Sequence, residues 1–390
     1  MTSTYRADGV NVAEGDLFSA FAGEICRQSF RNSPFVKVHD LSRGHFRGPR
    51  GFTLKNLPKG YFLDTPSDGV GTKVIVIDAN FSHRQAARDL VAMTCGDITR
   101  FGGMPLILVN VLDVRTLGKS TTDASEKELA TNTQCRALIA GLGEVCEEQK
   151  LVAFRGETAE LGVCVNSENP HATVKFNWAG FALGVYHPKM MITGTGLRPG
   201  QQVVALKEDG FRANGISSVR KALAIKFGPA WFINPLANVS IAEAATPSVL
   251  YDRMLCEANG WYQKKFHPRP FKMNLVVHVT GGAVKSKFAE DNLFPRGLSA
   301  HLDELWKPLG IMYQCKEWRG MNDEECYETW NCGQGALVVV NKEECDDFVD
   351  FAYRSGIQAK RCGEITKEKN PRVTIRSQFT GKEIIYWAKK

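Results

Sequence analysis

Apolar residues recur along the chain in two rhythms, the spacing of a helix face and the short continuous runs of buried strands. Between residues 16 and 30, Leu17, Phe18, Phe21 and Ile25 mark one face of a helix, whereas Gly44 to Gly51, rich in Gly, Arg and Pro, reads as loop. Tyr61-Phe62-Leu63 leads into the turn Asp68-Gly69-Val70-Gly71-Thr72-Lys73, and Val74-Ile75-Val76-Ile77 then reads as a buried strand. Gln85 to Phe101 reads as one helix carrying Asp89 and Asp97. At ~100° per residue, positions eight apart differ by about 80°, so the two carboxylates are expected on one side of it. Leu106–Leu112 is a second strand, Glu126–Gln149 a long helix, and Leu151–Phe154 a third strand running into Arg155-Gly156-Glu157-Thr158. Trp178–Tyr186 is a further strand ending at His187-Pro188.

The second half keeps the mixed pattern. Strand Gln202–Leu206, helix Ser217–Ile225, strand Leu275–Val279, strand Ala336–Val340 and helix Cys345–Ser355 are expected, with a strand pair and a polar turn over residues 369 to 390. Alternating strands and helices give an α/β or α+β class. The breaks at His187-Pro188 and Leu197-Arg198-Pro199-Gly200 bracket a boundary, giving domains 1–187 and 188–390. No short repeat period, low-complexity tract or coiled-coil heptad is present.

At 390 residues the chain can bury two or three ordinary domains without staples. Its net charge of +7 is spread through Arg84, Arg88, Arg100, Arg220, Lys221, Lys264 and Lys265, which favours anionic small molecules over nucleic acid. Eleven cysteines, an odd number with no C-x-x-C pair, read as reduced thiols of a cytoplasmic protein. No apolar run reaches the ~20 residues of a membrane helix, and Met1-Thr2-Ser3-Thr4-Tyr5 has no charged-then-apolar leader, so a soluble, unexported protein is expected.

The Asp68 to Lys73 hexapeptide joins a carboxylate, two glycines, a hydroxyl and a lysine, a set suited to phosphate and a hard cation. A Gly-rich surface turn after a strand would look similar. Glu157 and Glu160 flank Thr158-Ala159 at what reads as a strand-to-helix junction, where carboxylates could bind Mg²⁺ or a substrate amine. Thr158 as N-cap of a helix explains them equally well. His278-Val279-Thr280-Gly281-Gly282 sets an imidazole and a Gly-rich nest of N–H groups at a strand end, a position for acid or base work or for a hydrogen-bonded structural histidine. Lys37, Arg47 and Arg50 could clamp polyphosphate or be solvated. Cys332, in Asn331-Cys332-Gly333-Gln334-Gly335, receives no catalytic role, and no Cys/His set has zinc spacing.

In order, these motifs resemble the aminoimidazole ribonucleotide (AIR) synthetase family, also called phosphoribosylformylglycinamidine cyclo-ligases, nearly end to end. The resemblance rests on Tyr5-Arg6-Ala7-Asp8-Gly9-Val10 with Gly15, Asp68 to Lys73, Asp89-Leu90-Val91-Ala92-Met93 with Gly96-Asp97-Ile98, and Gly156-Glu157-Thr158-Ala159-Glu160. It continues through Ala179-Gly180-Phe181, Asn214-Gly215 with Ser218-Val219-Arg220-Lys221, His278 to Gly282, Tyr327 to Gly333 and Gly363-Glu364-Ile365.

What the resemblance implies is a two-domain subunit with a C-terminal mixed sheet and helices, whose N-terminal domains pair into a homodimer around a β-barrel with ATP near that interface. The implied reaction, a step of purine biosynthesis, closes formylglycinamidine ribonucleotide to AIR with release of ADP and phosphate. It assigns catalysis to Asp68, Lys73 and His278, and the nucleotide to Gly69, Gly71, Thr72, Asp89, Asp97 and Glu157. The ribonucleotide substrate falls to Arg212, Asn214, Gly215, Thr280, Gly281 and Gly282, and Mg²⁺ to Asp68 and Asp97. Four departures from the family pattern bear on the substrate: Gly44-His45-Phe46-Arg47-Gly48-Pro49-Arg50-Gly51 stands where the family carries a Gly-Gly-Leu-Gly-Gly-Phe-Gly-like stretch, Arg212 where it carries a histidine, Asn110 where it carries an aspartate, and Arg155 where it carries a glycine. A related ATP-dependent enzyme with another substrate, such as a small-molecule kinase, is the competing reading, and an idle nucleotide-binding scaffold the third.

Overall fold

The structure is a computed structural model and describes residues 12–43, 48–263 and 268–389. The Tyr5 to Val10 motif, Arg47, Lys264 and Lys265 lie outside the described residues. The chain forms two compact units, one from the described residues up to Cys95 with Pro105–Val185, the other from Gly96–Met104 with Tyr186 onward.

The first unit begins with helix α1 (Val12–Ser29) and an antiparallel hairpin, β1 (Val36–Asp40) and β2 (Arg50–Leu54). Residues Arg50 and Gly51, expected as loop, therefore belong to a strand. Short strands β3 (Phe62–Asp64) and β4 (Ser67–Gly69) follow, then helices α2 (Val74–Ala79) and α3 (Ala86–Thr94). The chain next passes through α4 (Gly96–Thr99) of the other unit and returns as β5 (Met104–Val114), α5 (Glu126–Glu148), β6 (Val152–Glu160) and β7 (Phe176–Tyr186). These strands form one sheet in the order β3-β7-β5-β6, with β4 also paired to β7. A capping box at Ser125 and Glu128 starts α5, as its sequence spacing requires.

Two expectations fail here. Val74-Ile75-Val76-Ile77 is helical, because a tight 3₁₀ turn at Gly71–Lys73 starts it and burial of Lys73, Val76 and Ile77, at i, i+3 and i+4, selects a helix over the strand preference of β-branched residues. The helix expected from Gln85 to Phe101 is broken between Cys95 and Gly96, so Asp89 and Asp97 lie on separate helices in different units. Asp89 is buried and Asp97 half-buried.

In the second unit, strands β8 (Gln202–Lys207), β9 (Leu275–His278), β10 (Ser299–Leu302), β11 (Gln334–Val340), β12 (Ala359–Thr366), β13 (Arg372–Arg376) and β14 (Glu383–Trp387) build a mixed sheet in the order β14-β13-β10-β12-β8-β11-β9. The helices between them are α6 (Ile216–Phe227), α7 (Asn238–Ala244), α8 (Asp252–Ala258), α9 (Gly310–Arg319), α10 (Asp323–Thr329) and α11 (Cys345–Arg354). Val204, Leu206, Val276, Val338 and Val340 of the central strands pack with Met254 and Leu255 of α8 and Phe348 of α11 into a continuous core. The strand pair expected near the C-terminus is β13 with β14. No helix among the described residues is long and apolar enough to cross a membrane.

Candidate functional site

Strands β5 and β6 run parallel, with Asn110 opposite Gly156 and Val111 opposite Glu157. β6 continues through Glu160, so Thr158 is a strand residue and neither the strand-to-helix junction nor the N-cap reading applies. Together with α1, these strands enclose a cavity of about 560 Å³ whose wall includes Asp16, Asn110, Arg155, Gly156 and Glu157, a size typical of ligand sites (~300–1,000 Å³). Asn110 is buried in it, and its Oδ1 accepts the Trp178 indole N–H at 3.1 Å. An indole nitrogen can only donate, so this bond fixes the amide orientation. A Cβ at position 156 would lie 2.7 Å from Asn110 Nδ2, which is why glycine stands there. Glu157 is exposed. Glu160 instead accepts from the Leu117 N–H at 2.6 Å and the Thr116 hydroxyl at 3.1 Å, pinning a loop.

In the same unit Asp68 is exposed on β4, opposite Gly180, with its Oδ1 taking the Gly69 N–H at 2.7 Å. Gly69 is required by close approach, since a Cβ would lie 2.9 Å from the Trp178 carbonyl oxygen. Gly71 has a φ of 60° and open space beside it, and Thr72 is exposed. Lys73 departs from its expected role. Its side chain is fully buried, with Nζ 2.8 Å from Asp89 Oδ1, so the amine that was to face phosphate is an internal counter-ion and Asp89 is its partner. Arg50 likewise turns inward, toward Asp40 at 3.3 Å and over the Phe30 ring.

In the second unit His278 ends β9, 7% exposed, and its Nε2 has no hydrogen-bond partner among the described residues. Burial, and then the positive charges of Arg212, Arg100 and Lys287, hold its pKa well below the usual 6.5, so the ring is neutral near pH 7. The imidazole packs against Gly96, leaving no room for a side chain there. Arg212, assigned to the substrate by the resemblance, is paired inside the protein. It is buried, Nη1 lies 2.9 Å from Glu208 Oε2 and donates to the Val249 carbonyl at 3.2 Å, and the guanidinium sits over the Tyr251 ring. Burial of a cation demands such a partner, so the loop before Asn214 is held by Arg212 rather than offered to solvent.

The nest expected after His278 is also partly closed. The Gly282 N–H reaches the Tyr327 carbonyl at 3.4 Å and the Ala283 N–H the Thr280 carbonyl at 3.1 Å. Gly281 and Gly215 are there for packing: a Cβ on either would meet the Thr329 carbonyl oxygen, at 2.5 Å and 2.6 Å. Gly215, with a φ of 69°, is also the N-cap of α6. Asp97, on α4, is half-buried and its Oδ1 lies 3.1 Å from Arg100 Nε. Among the described residues no three His, Cys, Asp or Glu side chains are grouped to hold a metal ion. Cys332 is buried, and desolvation pushes its thiol pKa well above 9.0, as befits an unreactive cysteine.

Residues 55–185 match AIR synthase related protein, N-terminal domain, and residues 198–376 match AIR synthase related protein, C-terminal domain. The chain belongs to the AIR synthase related family. Among its curated relatives, the phosphoribosylformylglycinamidine cyclo-ligase of Thermodesulfovibrio yellowstonii is 27% identical over 380 residues, covering 96% of this chain and all (100%) of the relative. The enzyme of the same name from Bordetella petrii is 27% identical over 376 residues, covering 94% and 95%. The fold is shared with the hydrogenase maturation protein HypE, at TM-score 0.54 and 12% identity over 87% of this chain and 92% of that one. It is shared as well with thiamine-monophosphate kinase from Stenotrophomonas maltophilia, at TM-score 0.51 and 12% identity over 91% and 95%.

Within this AIR synthase related chain, three features escaped sequence reasoning. Trp178 and Asn110 are 68 positions apart, and nothing local marks them as a pair. Asp16 of α1 enters the cavity wall from a helix whose apolar rhythm alone was legible. Asp252 of α8 is buried and accepts the Thr99 hydroxyl at 2.7 Å, and desolvation raises its pKa to about 6. An acidic residue following Leu250-Tyr251 in an apolar stretch was the one signal available for it.

Proposed function

We propose that this protein closes formylglycinamidine ribonucleotide to AIR in purine biosynthesis, with ATP converted to ADP and phosphate. The observation that supports it most is the end-to-end match to relatives bearing that enzyme's name, of which the Thermodesulfovibrio protein is covered over its whole length. The first unit's cavity supplies the volume and polar wall that a nucleotide needs. A family fold that has been solved with ATP, in HypE at TM-score 0.52, agrees with this use.

The formyl oxygen is a poor leaving group. It attacks the γ-phosphorus of ATP and ADP departs. The amidine nitrogen then attacks the former formyl carbon, phosphate leaves with the oxygen, and the imidazole ring closes. The exposed Asp68, Gly71 and Thr72, with the half-buried Gly69, are proposed to meet the phosphates, while Asn110 and Glu157 line the cavity for the rest of the nucleotide. A magnesium ion that arrives with its nucleotide needs only one or two protein carboxylates. The exposed Asp68 fits that need, and the ion would offset charge on the transferring group. His278, neutral and with an unsatisfied Nε2, is suited to take the proton from the amidine nitrogen. Asn214, Thr280, Gly281 and Gly282 shape the loops proposed to border the ribonucleotide, with Arg212 bracing the loop before Asn214 through Glu208.

Pairing of two copies through the first unit's sheet is part of the same proposal. Phe62, Leu63 and Phe181 are each 46–47% exposed on neighbouring strands, an apolar surface that a second sheet would cover. Light scattering should give twice the 43.2 kDa chain mass. For the reaction, purified protein is given ATP, Mg²⁺ and synthetic formylglycinamidine ribonucleotide, and AIR and ADP are measured together. ADP released with thiamine monophosphate instead, and none with the ribonucleotide, would turn the reading to a small-molecule kinase.

A further inference from the structure

A second cavity, of about 290 Å³, lies wholly within the second unit along β9, an edge strand of its sheet. Its floor is apolar, made by Leu275, Val276 and Val277 with Phe101 and Ile192, and its rim carries Arg100, Lys287 and Arg296 with Asp291, while Asp97 outside the lining pairs with Arg100. The three cations come from separate segments: the α4 exit, the π-helical stretch Val284–Leu293 and the 3₁₀ turn Phe294–Arg296.

Each cation is held in place before any ligand arrives. Arg296 donates from Nη1 to the Asn292 carbonyl at 2.7 Å and from Nη2 to the Thr193 carbonyl at 3.3 Å, and among the described residues no carboxylate pairs with it. Its position is thus fixed by main-chain acceptors that leave its charge uncompensated. Lys287 Nζ reaches the Thr280 hydroxyl at 3.2 Å, and Arg100 is held by Asp97 and stacks over the Phe101 ring at 4.5 Å.

From this arrangement we propose that the cavity is a binding site for a small phosphate monoester whose sugar or ring rests on the apolar floor. Guanidinium forks and an ammonium converging from several directions suit a tetrahedral group with three acceptor oxygens better than a flat carboxylate. An inorganic ion alone would leave the floor uncovered. The assignment stands apart from the reading of the first unit's cavity and needs neither ATP nor metal.

The test uses the full-length protein and ribose 5-phosphate as probe, followed by titration calorimetry and ³¹P line broadening at fixed ionic strength. The wild type should bind ribose 5-phosphate more tightly than inorganic phosphate. Arg296→Glu, a change at an exposed side chain, should weaken binding by roughly tenfold or more, and Lys287→Gln by a smaller factor. Circular dichroism verifies that both variants fold. No binding by the wild type at millimolar probe, or unchanged affinity in Arg296→Glu, overturns the site. Turnover identifies the source of the phosphate: a raised KM for the ribonucleotide in Arg296→Glu makes it the substrate's own, and an unchanged KM makes it a separate metabolite's.

Discussion

Lys73 and Asp89 form a buried ion pair at 2.8 Å, and the pair joins the turn after β4 to helix α3. The lysine that sequence spacing aims at phosphate is thereby turned to bracing the turn after β4 against α3. Removing one member of a buried pair strands the other charge and costs about 3–5 kcal/mol, whereas a neutral replacement of both is far milder. Lys73→Met should therefore lower stability by that order in urea unfolding, and Lys73→Met with Asp89→Leu should recover much of it. A Lys73 variant that keeps full stability yet loses affinity for an ATP analogue would restore the lysine to the phosphates.

The neutral His278 gives a pH prediction. Its folded pKa is depressed, so the ring stays a base down to well below pH 6.5, and a kcat profile should show no acid limb from this group near 6.5. His278→Ala should cut turnover by about 10²- to 10⁴-fold with ATP-analogue affinity little changed. Gly96→Ala, which forces the ring to move, should cut turnover too while His278 remains present. An acid limb at 6.5 or above that disappears in His278→Ala would mean a solvated, ordinary histidine.

Asp252 titrates with the opposite sign. Its pKa rises from 3.8 to about 6 on folding because burial disfavours the carboxylate. Its contribution to stability is full below about pH 3.8 and is lost as pH climbs through about 6. His278, depressed instead, takes stability away as pH falls below about 6.5. The two partly cancel in the wild type. Asp252→Asn keeps an acceptor for the Thr99 hydroxyl and sheds the buried charge, so it should raise the melting temperature at pH 7.5 and make the remaining loss on acidification steeper. A melting temperature lowered at pH 7.5 would show that the ionised form is favoured after all.

Long elements were legible because their apolar period is their burial: α1, α5, β5, β7, β8 and β11 fall where the pattern puts them, and their alternation supplied the class. What failed was local. Val74 to Ile77 has strand propensity, but whether a four-residue β-branched run is strand or helix is decided by the cavity it fills, which is tertiary information. Arg212 and Lys73 look like ligands because they are charged and next to glycine. Their partners Glu208 and Asp89 convert them into internal braces, and only Glu208, four residues from Arg212, was within local reach. The glycines at 215 and 281 were read as a substrate-binding nest, and the close approach to the Thr329 carbonyl that requires them was not legible.

The remaining prediction concerns the wall of the first unit's cavity. Asn110 Oδ1 is occupied by the Trp178 indole N–H, so the amide presents Nδ2 beside Gly156, and the wall offers a neutral donor where a carboxylate would offer an acceptor. Trp178→Phe removes the indole donor and leaves a buried amide free to turn over, costing about 1–3 kcal/mol in stability for the unsatisfied group. Gly156→Ala pushes Asn110 by crowding Nδ2 and narrows the cavity while the indole bond remains available. If the cavity holds the nucleotide, Gly156→Ala should weaken ATP-analogue binding by roughly tenfold, the scale of one lost hydrogen bond. Trp178→Phe should weaken it less and lower the melting temperature more. Calorimetric titration of the two variants beside thermal melts checks this, and an ATP-analogue affinity untouched by Gly156→Ala would remove the nucleotide from this cavity while leaving the cyclo-ligase reading to stand on its relatives.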